Sequence, residues 1–201
     1  MKILFLFASL VVLAASCSKK DTDIGHPAPD PPASPFPEML VTELNDAEVS
    51  YAKSQAIDLN RDGMNDVVFA TWYIGNPNQQ EDEILYFAAS SIETSLMTRA
   101  ENNSPQYNQN DIIPVNAADG YDWFVVSQVE LAMKNIGNTG APYWEKEWKN
   151  ASHKFLAVQV KKSNKLYYGW VELSMNTAQS KLVLHRAAIS KEPARAVKAG
   201  I

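Results

Sequence analysis

Oxygen-bearing side chains recur at alternate positions in one short segment of the chain, residues 58–66. Asp, Asn, Asp and Asp stand at its first, third, fifth and ninth positions, and Gly63 at the sixth permits a sharp turn. Three carboxylates this close repel one another unless a cation neutralises them. Ca²⁺ prefers such oxygen ligands, including backbone carbonyls. The segment therefore predicts a structural calcium site with the ligands Asp58, Asn60, Asp62, the carbonyl of Met64, and Asp66.

The spacing resembles the first part of the calcium-binding loop of EF-hand proteins. The twelfth position is Phe69 rather than the closing Glu, and no flanking helices are expected. The segment is therefore more similar to the short calcium loops between strands in integrin-type propeller repeats and related extracellular repeats. The alternative is an Asp/Asn/Gly-rich turn that joins two strands without a metal.

The only cysteine of the chain, Cys17, follows a leader with Lys2, an apolar run over residues 3–13 and small residues over 14–16. This order is typical of an export signal. It resembles the lipobox of bacterial lipoproteins, with Ala14 where Leu is usual. The resemblance implies a signal peptide over residues 1–16, an acylated Cys17 and, because Ser18 follows it, the outer membrane.

Two alternatives for the leader fit less well. A transmembrane helix needs about 20 apolar residues, and this run is shorter. A simple secreted protein would keep an unpaired reactive thiol. A lipid anchor needs no second membrane contact when several acyl chains are attached, so we expect the envelope as the location and the membrane as a partner.

Residues 17–37 contain six of the eleven prolines. Such a stretch predicts an extended spacer, or a plain linker without a defined reach. The net charge of −5 gives no electrostatic reason to bind nucleic acid.

Residues 38–201 predict one all-β domain, an antiparallel, jelly-roll-like β-sandwich. Short β-branched and aromatic runs such as 67–74 alternate with turn signals, and no long 3.6-residue period competes. Residues 155–160 and 166–173 predict a hairpin with a five-residue turn. The polar stretch 89–122 predicts a functional or disordered loop, with a possible strand over residues 111–115.

Three pieces of the domain together resemble a loose group of largely uncharacterised exported bacterial β-domains. They are the Asp-rich segment 57–63, residues 155–158 followed by the strand 168–173 with its Tyr168-Gly169-Trp170 motif, and the ending 187–200 with its terminal Ala-Gly. The resemblance implies a style of fold rather than an activity.

The aromatic residues are dense, and charges interleave the rings of residues 143–148. We expect this segment to be partly exposed and to offer a ligand-binding surface of Tyr143, Trp144 and Trp148. The alternative is that these aromatic residues fill the core, where they bury large areas. His153 and His185 lack the spacing of a zinc site. No serine lies in a Gly-x-Ser-x-Gly elbow, and a Ser-His-Asp triad, being spatial, has no other sequence signal.

These observations predict a lipoprotein with a non-catalytic domain for binding, adhesion or envelope scaffolding, with glycan or a cell-surface protein as partner. The alternative is a carbohydrate-active enzyme, or a carbohydrate-binding accessory module, that draws on acids such as Glu81, Glu83 and Glu130. A binding module requires a flat or grooved aromatic face, whereas an enzyme requires converging acids with separated pKa values.

Overall fold

A computed structural model describes residues 34–78 and 80–201 of the 201-residue chain. Residues 34–201 form one compact unit. Its first residues contact the end of the chain, since Arg195 Nη2 donates to the carbonyl of Pro35 over 2.7 Å and Lys198 Nζ lies 5.0 Å from the Phe36 ring centroid. The signal peptide, Cys17 and most of the proline-rich spacer lie outside the described residues.

Thirteen strands are present in the described residues, and the only helical pieces there are single 3₁₀ turns at Ala100–Asn102 and Glu147–Asn150. The strands are β1 (Met39–Val49), β2 (Gln55–Ile57), β3 (Val67–Asn76), β4 (Glu81–Ser90), β5 (Thr94–Thr98), β6 (Ile112–Ile113), β7 (Asp122–Val125), β8 (Gln128–Gly137), β9 (Tyr143–Glu145), β10 (Lys154–Lys162), β11 (Lys165–Asn176), β12 (Lys181–Ser190) and β13 (Val197–Lys198).

Two main antiparallel sheets form the fold, which confirms the prediction of an all-β sandwich. The six-stranded sheet has the order β1-β12-β11-β10-β5-β7, and the five-stranded sheet has the order β2-β3-β4-β8-β9. A small pair of β6 and β13 completes the topology. The predicted strand near residues 111–115 is present as β6, whereas β5 lies in a stretch that we expected to be loop.

The main core lies between the two large sheets. Alternate residues of the strands point inward, as the two-residue period of a strand requires. The buried cluster includes Phe69 and Tyr86 from the five-stranded sheet and Leu156, Leu173 and Leu184 from the six-stranded sheet.

A second apolar cluster covers part of the opposite face of the six-stranded sheet. Phe155, Tyr168 and Trp170 point away from the main core and are buried with Ile113 of β6 and Val197 of β13. The chain is therefore layered on both sides of this sheet, and both faces of β10 and β11 carry apolar residues. This explains the nearly continuous apolar run over residues 155–160.

The hairpin between β10 and β11 is tighter than its sequence suggested. Lys162 pairs with Lys165, so the turn contains only Ser163 and Asn164. Both have positive φ, 49° and 59°, as a two-residue type I′ turn requires. The predicted five-residue turn is wrong because Lys161 and Lys162 continue the ladder on the exposed end of the hairpin.

Strand β12 is irregular against both of its neighbours at His185. The next residue, Arg186, pairs with Glu43 of β1 and Glu172 of β11. The preceding residue, Leu184, pairs with Ala47 of β1 and Leu173 of β11. His185 therefore has no paired residue on β11 and forms a bulge there. On the other side it lies opposite three unpaired residues of β1, residues 44–46, which are called the β1 excursion. Such bulges re-aim side chains.

Candidate functional site

The Asp-rich segment is a compact loop between β2 and β3. The carboxylate of Asp58 accepts the backbone N–H of Asp62 over 3.2 Å and that of Gly63 over 2.8 Å. Asn60 Oδ1 accepts the same Asp62 N–H over 2.9 Å, and Asp62 Oδ1 accepts that of Met64 over 2.9 Å. Gly63 has φ of +89°, where an L side chain is strained. The side-chain oxygens of the first three predicted ligands therefore hold the loop in its bent shape by accepting its backbone N–H groups.

Asp66 stands at the foot of this loop and is only 5% exposed. Its Oδ2 accepts the N–H of Leu59 over 2.8 Å, and its Oδ1 accepts the hydroxyl of Thr94 over 3.1 Å. Burial raises the pKa of Asp66, and the hydrogen bonds from Leu59, Thr94 and Asn60 offset part of that rise. These contacts explain Asp66 as a brace between the loop and β5 without invoking a metal.

Within residues 34–78 and 80–201, no group of three or more His, Cys, Asp or Glu side chains is arranged to hold a metal ion. The other loop candidates are two carboxylates, Asp58 and Asp62, with an amide oxygen from Asn60 and the carbonyl of Met64. Such mixed oxygen sets are within the range that Ca²⁺ accepts.

Two rows of paired residues define the outer face of the five-stranded sheet. One row is Ile74, Glu83, Asn135 and Tyr143, and the next is Trp72, Leu85, Met133 and Glu145. Residues directly opposite in antiparallel strands share a face, and the intervening residues Ile84 and Tyr86 pack with the main core. These eight residues, together with Phe87, whose ring packs on Trp72, are called the aromatic face.

Trp72 and Tyr143 are the large rings exposed on the aromatic face. Trp72 is 52% exposed and packs on Phe87 with ring centroids 4.6 Å apart. Tyr143 is 47% exposed, and its hydroxyl donates to Glu81 Oε2 over 3.4 Å. Tyr143 of β9 is thus an exposed ring. The other exposed ring of this face, Trp72, lies on β3, with β4 and β8 between them, and sequence reasoning left it out of the site.

The other two predicted aromatic residues face inward. Trp148 is 1% exposed, and its indole N–H donates to the carbonyl of Ser104 over 3.1 Å. The prediction that Trp148 belongs to an exposed ligand surface is therefore wrong. Trp144 is half-buried and tilts against Tyr86, with ring centroids 5.8 Å apart. The period of two along β9 could have separated Tyr143 from Trp144.

Asn135 is the buried polar residue of the aromatic face, and its side-chain amide group lacks a hydrogen-bond acceptor among the described residues. It is 2% exposed, and its Nδ2 has no hydrogen-bond partner in the part of the chain that the structure describes. A buried polar group without a partner costs about 1–3 kcal/mol. Such groups in a native fold call for an explanation.

The candidate acids of the enzyme alternative have partners of other kinds. Glu130 Oε2 lies 2.6 Å from Lys146 Nζ, which neutralises it. Asp82 hydrogen-bonds the Tyr73 hydroxyl, and this bond is the main cause that raises the pKa of Tyr73. Glu81 accepts from Tyr143, as described above. The first two acids of β4, Glu81 and Asp82, therefore hydrogen-bond to the exposed tyrosines Tyr143 and Tyr73.

The two histidines of the domain, which sequence reasoning treated as isolated, are in contact. The rings of His153 and His185 stack with centroids 4.2 Å apart and 19° between their planes. Each Nδ1 has a carboxylate partner, Glu172 for His153 over 2.8 Å and Asp46 for His185 over 2.6 Å. The strand order brings the two histidines together. β11 lies between β10 and β12, His153 directly precedes β10, and His185 lies on β12 at the same level of the sheet.

No family model, no curated protein and no solved structure matches the chain. In the described part of the chain, no helix has the length and apolar character needed to cross a membrane.

Proposed function

We propose that this protein is an outer-membrane-anchored lipoprotein whose β-sandwich binds carbohydrate on the aromatic face, in adhesion or envelope scaffolding. The observation that supports binding is the face itself, in which exposed Trp72 and Tyr143 lie on an open sheet among acids. The leader and Cys17 support the anchor by their sequence pattern.

Carbohydrate suits the chemistry of this face. Trp and Tyr rings present flat apolar surfaces, against which the C–H face of a sugar ring can stack. Glu83 and Glu145 stand in the same rows as the rings, and ionised carboxylates accept hydrogen bonds from hydroxyl groups. The combination offers stacking and hydrogen bonding within one surface.

Asn135 adds a donor to that surface. It pairs with Tyr143 on one side and Glu83 on the other. A sugar oxygen that displaces one of the covering side chains supplies the acceptor that Nδ2 lacks. Binding then recovers a hydrogen bond that the free protein leaves unmade.

We further propose that the loop at residues 58–64 binds Ca²⁺ as a structural ion, with Asp66 bracing the loop from below. The two outer carboxylates, Asp58 and Asp62, accept backbone N–H groups, and no cationic side chain bonds to either in the described part of the chain. A divalent cation removes the repulsion between them.

The binding proposal is tested with the full-length protein on a panel of soluble neutral polysaccharides, by retardation in affinity gels. Trp72→Ala and Tyr143→Ala each remove one stacking surface. Each is expected to weaken retardation by a responsive polysaccharide at least tenfold, about 1.4 kcal/mol.

Phe124→Ala is the matched control, because Phe124 of β7 is an aromatic residue of similar exposure on the other sheet. Its retardation should equal that of the parent. A polysaccharide that retards the parent and the Trp72→Ala variant equally would show that this face is not the binding surface. Retardation by none of the polysaccharides would remove carbohydrate as the ligand.

A further inference from the structure

The outer face of the six-stranded sheet carries a cluster of polar side chains beside the second apolar layer. We call it the polar cluster, and it consists of Asp46, His153, Glu172, Ser174, His185 and Arg186. The adjacent residues Leu173, Met175 and Leu184 belong to the main core, so the cluster faces away from the sandwich interior.

A chain of two hydrogen bonds runs through the polar cluster. Ser174 Oγ lies 2.8 Å from His185 Nε2, and His185 Nδ1 lies 2.6 Å from Asp46 Oδ1. An ionised carboxylate only accepts, so Nδ1 of the neutral ring carries the hydrogen. Nε2 is then the acceptor for the Ser174 hydroxyl. The order of hydroxyl, imidazole and carboxylate is that of an activated serine.

Backbone irregularities converge on these same residues. His185 is the extra residue of β12, and Asp46 lies in the excursion of β1 opposite it. Asp46 and His153 have positive φ, 55° and 48°, a conformation that is uncommon for residues other than glycine, although Asp and His adopt it more readily than most. Strained residues and bulges concentrate at functional sites. Here they position Asp46 and His185, two members of the hydrogen-bonded series Ser174–His185–Asp46.

A backbone donor is fixed next to the serine. The N–H of His153 donates to Ser174 Oγ over 2.9 Å. An N–H at this distance from the attacking oxygen is also within reach of an oxygen bonded to the carbon under attack. It therefore offers one donor for the negative oxygen of a tetrahedral intermediate.

Glu172 holds this donor in place. It is buried, its Oε1 lies 2.8 Å from His153 Nδ1, and its Oε2 accepts Arg186 Nε over 2.5 Å. Arg186 is itself positioned over the Trp170 ring, 5.3 Å from the centroid. Although burial opposes ionisation, the hydrogen bonds from Arg186 and His153 lower the pKa of Glu172, so the support stays charged.

We propose that Ser174 is a nucleophile that hydrolyses carboxylic esters with a short acyl group. Ser174 Oγ attacks the ester carbonyl carbon while its proton passes to His185 Nε2. The tetrahedral intermediate collapses, the bond to the alcohol oxygen breaks, and His185 returns the proton to that oxygen. Water, deprotonated by His185, then releases the acid and restores the Ser174 hydroxyl.

The surroundings of Ser174 set the substrate class. His153 stacks on His185, Glu172 bonds to His153, and Arg186 bonds to Glu172. These side chains are polar or charged and give no apolar channel for a long acyl chain. Ser174 is half-buried and His153 is exposed, so the site accepts an ester whose large alcohol part remains in solvent. This activity adds a reaction to the binding function proposed above and departs from the expectation of a non-catalytic domain.

The test uses the full-length protein, a fluorophosphonate probe and p-nitrophenyl acetate. The probe is expected to label the parent on the peptide that contains Ser174, as read by mass spectrometry. Ser174→Ala should remove the label and lower kcat/KM at least 100-fold, and His185→Gln should lower it comparably, since a positioned base contributes about 10²–10⁴. Asp46→Asn, which changes a positioning residue, should lower kcat with little change in KM, and Asp46→Glu should restore part of it.

Ser54→Ala is the control, because Ser54 is an exposed serine outside the polar cluster; its labelling and rate should equal those of the parent. Thermal melting shows whether each variant is folded. The labelled peptide of the parent decides the assignment even if Ser174→Ala does not fold. A folded parent that takes no label, a label on another serine, or a folded Ser174→Ala variant with the parent's rate would each overturn the proposal.

Discussion

Single side chains in this domain serve two neighbouring structures at once. Asp66 accepts hydrogen bonds from Leu59 in the loop and from Thr94 in β5. Glu172 joins His153, which precedes β10, to Arg186 of β12. Both carboxylates are buried, and removing either would leave donors without partners, at a cost of about 1–3 kcal/mol for each. The energetic importance of these residues therefore exceeds that of ordinary surface acids.

The calcium proposal is decided at Asp62. Extracellular sites bind Ca²⁺ with dissociation constants of about 10⁻⁴–10⁻³ M, so 10 mM Ca²⁺ should stabilise the parent by about 1.4–2.7 kcal/mol. Thermal unfolding after EDTA treatment, with and without Ca²⁺, measures this as a rise in Tm. Asp62→Ala should abolish the rise.

Asp62→Ala also loses the hydrogen bond to the Met64 N–H, so the comparison is the calcium-dependent difference within each protein. Glu93→Ala, at an exposed acid outside the loop, should keep the full rise. An identical response of the parent and the Asp62→Ala variant would place the ion elsewhere. Absence of a response in the parent would reduce the loop to a turn.

Sequence spacing predicted a tight turn at residues 58–66, and a loop lies there because the hydrogen bonds that form it are local. Asp58, Asn60 and Asp62 bond to backbone groups within five residues. Trp148 and His185 depend on residues far along the chain: Ser104 accepts from the first, and Asp46 bonds to the second. No period or spacing in one sequence carries such information.

At the scale of elements, β11 and β12 approach each other unusually closely at Gly169. A Cβ at this position would lie 2.1 Å from the carbonyl oxygen of Ala188, so the glycine is required by backbone contact. Its neighbours Tyr168 and Trp170 fill the second apolar cluster. The Tyr-Gly-Trp motif is thus explained by the packing of two strands.

Gly169→Ala should therefore destabilise the domain. The added methyl forces the strands apart, and overpacking of this kind costs about 1–3 kcal/mol. For a domain of this size the Tm should fall by roughly 2–12 °C. Thermal unfolding by circular dichroism measures the change.

Gly75→Ala is the matched control in β3. The Cβ added there meets only Asp82 Oδ1, at 3.6 Å, which is ordinary contact. Its Tm should stay close to that of the parent. Equal effects at the two glycines would contradict the close approach of β11 and β12.

Strand existence was predictable where strands alternate or run apolar, as for β3, β10 and β12. It was not predictable for β5, whose residues Thr94–Thr98 are all buried although the flanking sequence is polar. β5 pairs with β10 on one side and β7 on the other, so its identity comes from its neighbours in the sheet. Propensity yields to tertiary context in such central strands.

At the scale of the molecule, the two proposed functional surfaces lie on the outer faces of different sheets. The aromatic face belongs to the five-stranded sheet and the polar cluster to the six-stranded sheet. The main core separates the two surfaces and neither surface includes core residues of the other, so substitutions on one surface are expected to leave the other unchanged. The binding and hydrolysis experiments therefore succeed or fail independently.

The proposed anchor is tested by Cys17→Ser in a Gram-negative host. The parent should sediment with the outer membrane and incorporate labelled fatty acid, whereas the variant should lose the label and move to the soluble fraction. The Ser18→Ala variant, one residue further on, keeps the acylated position and should fractionate with membranes. Fatty acid on neither protein would remove the lipoprotein assignment and leave the domain's other proposals intact.

The excursion of β1 over residues 44–46 also affects how neighbouring copies of the domain can meet. β1 is an edge strand eleven residues long, and the other edges, β2, β9 and β7, span three or four residues. A long straight edge would recruit strands from neighbouring copies and promote aggregation. The excursion over residues 44–46, which contains Asp46, interrupts that edge and adds charge. If Cys17 is acylated as proposed, many copies concentrated in the plane of a membrane can then stand side by side without joining their sheets.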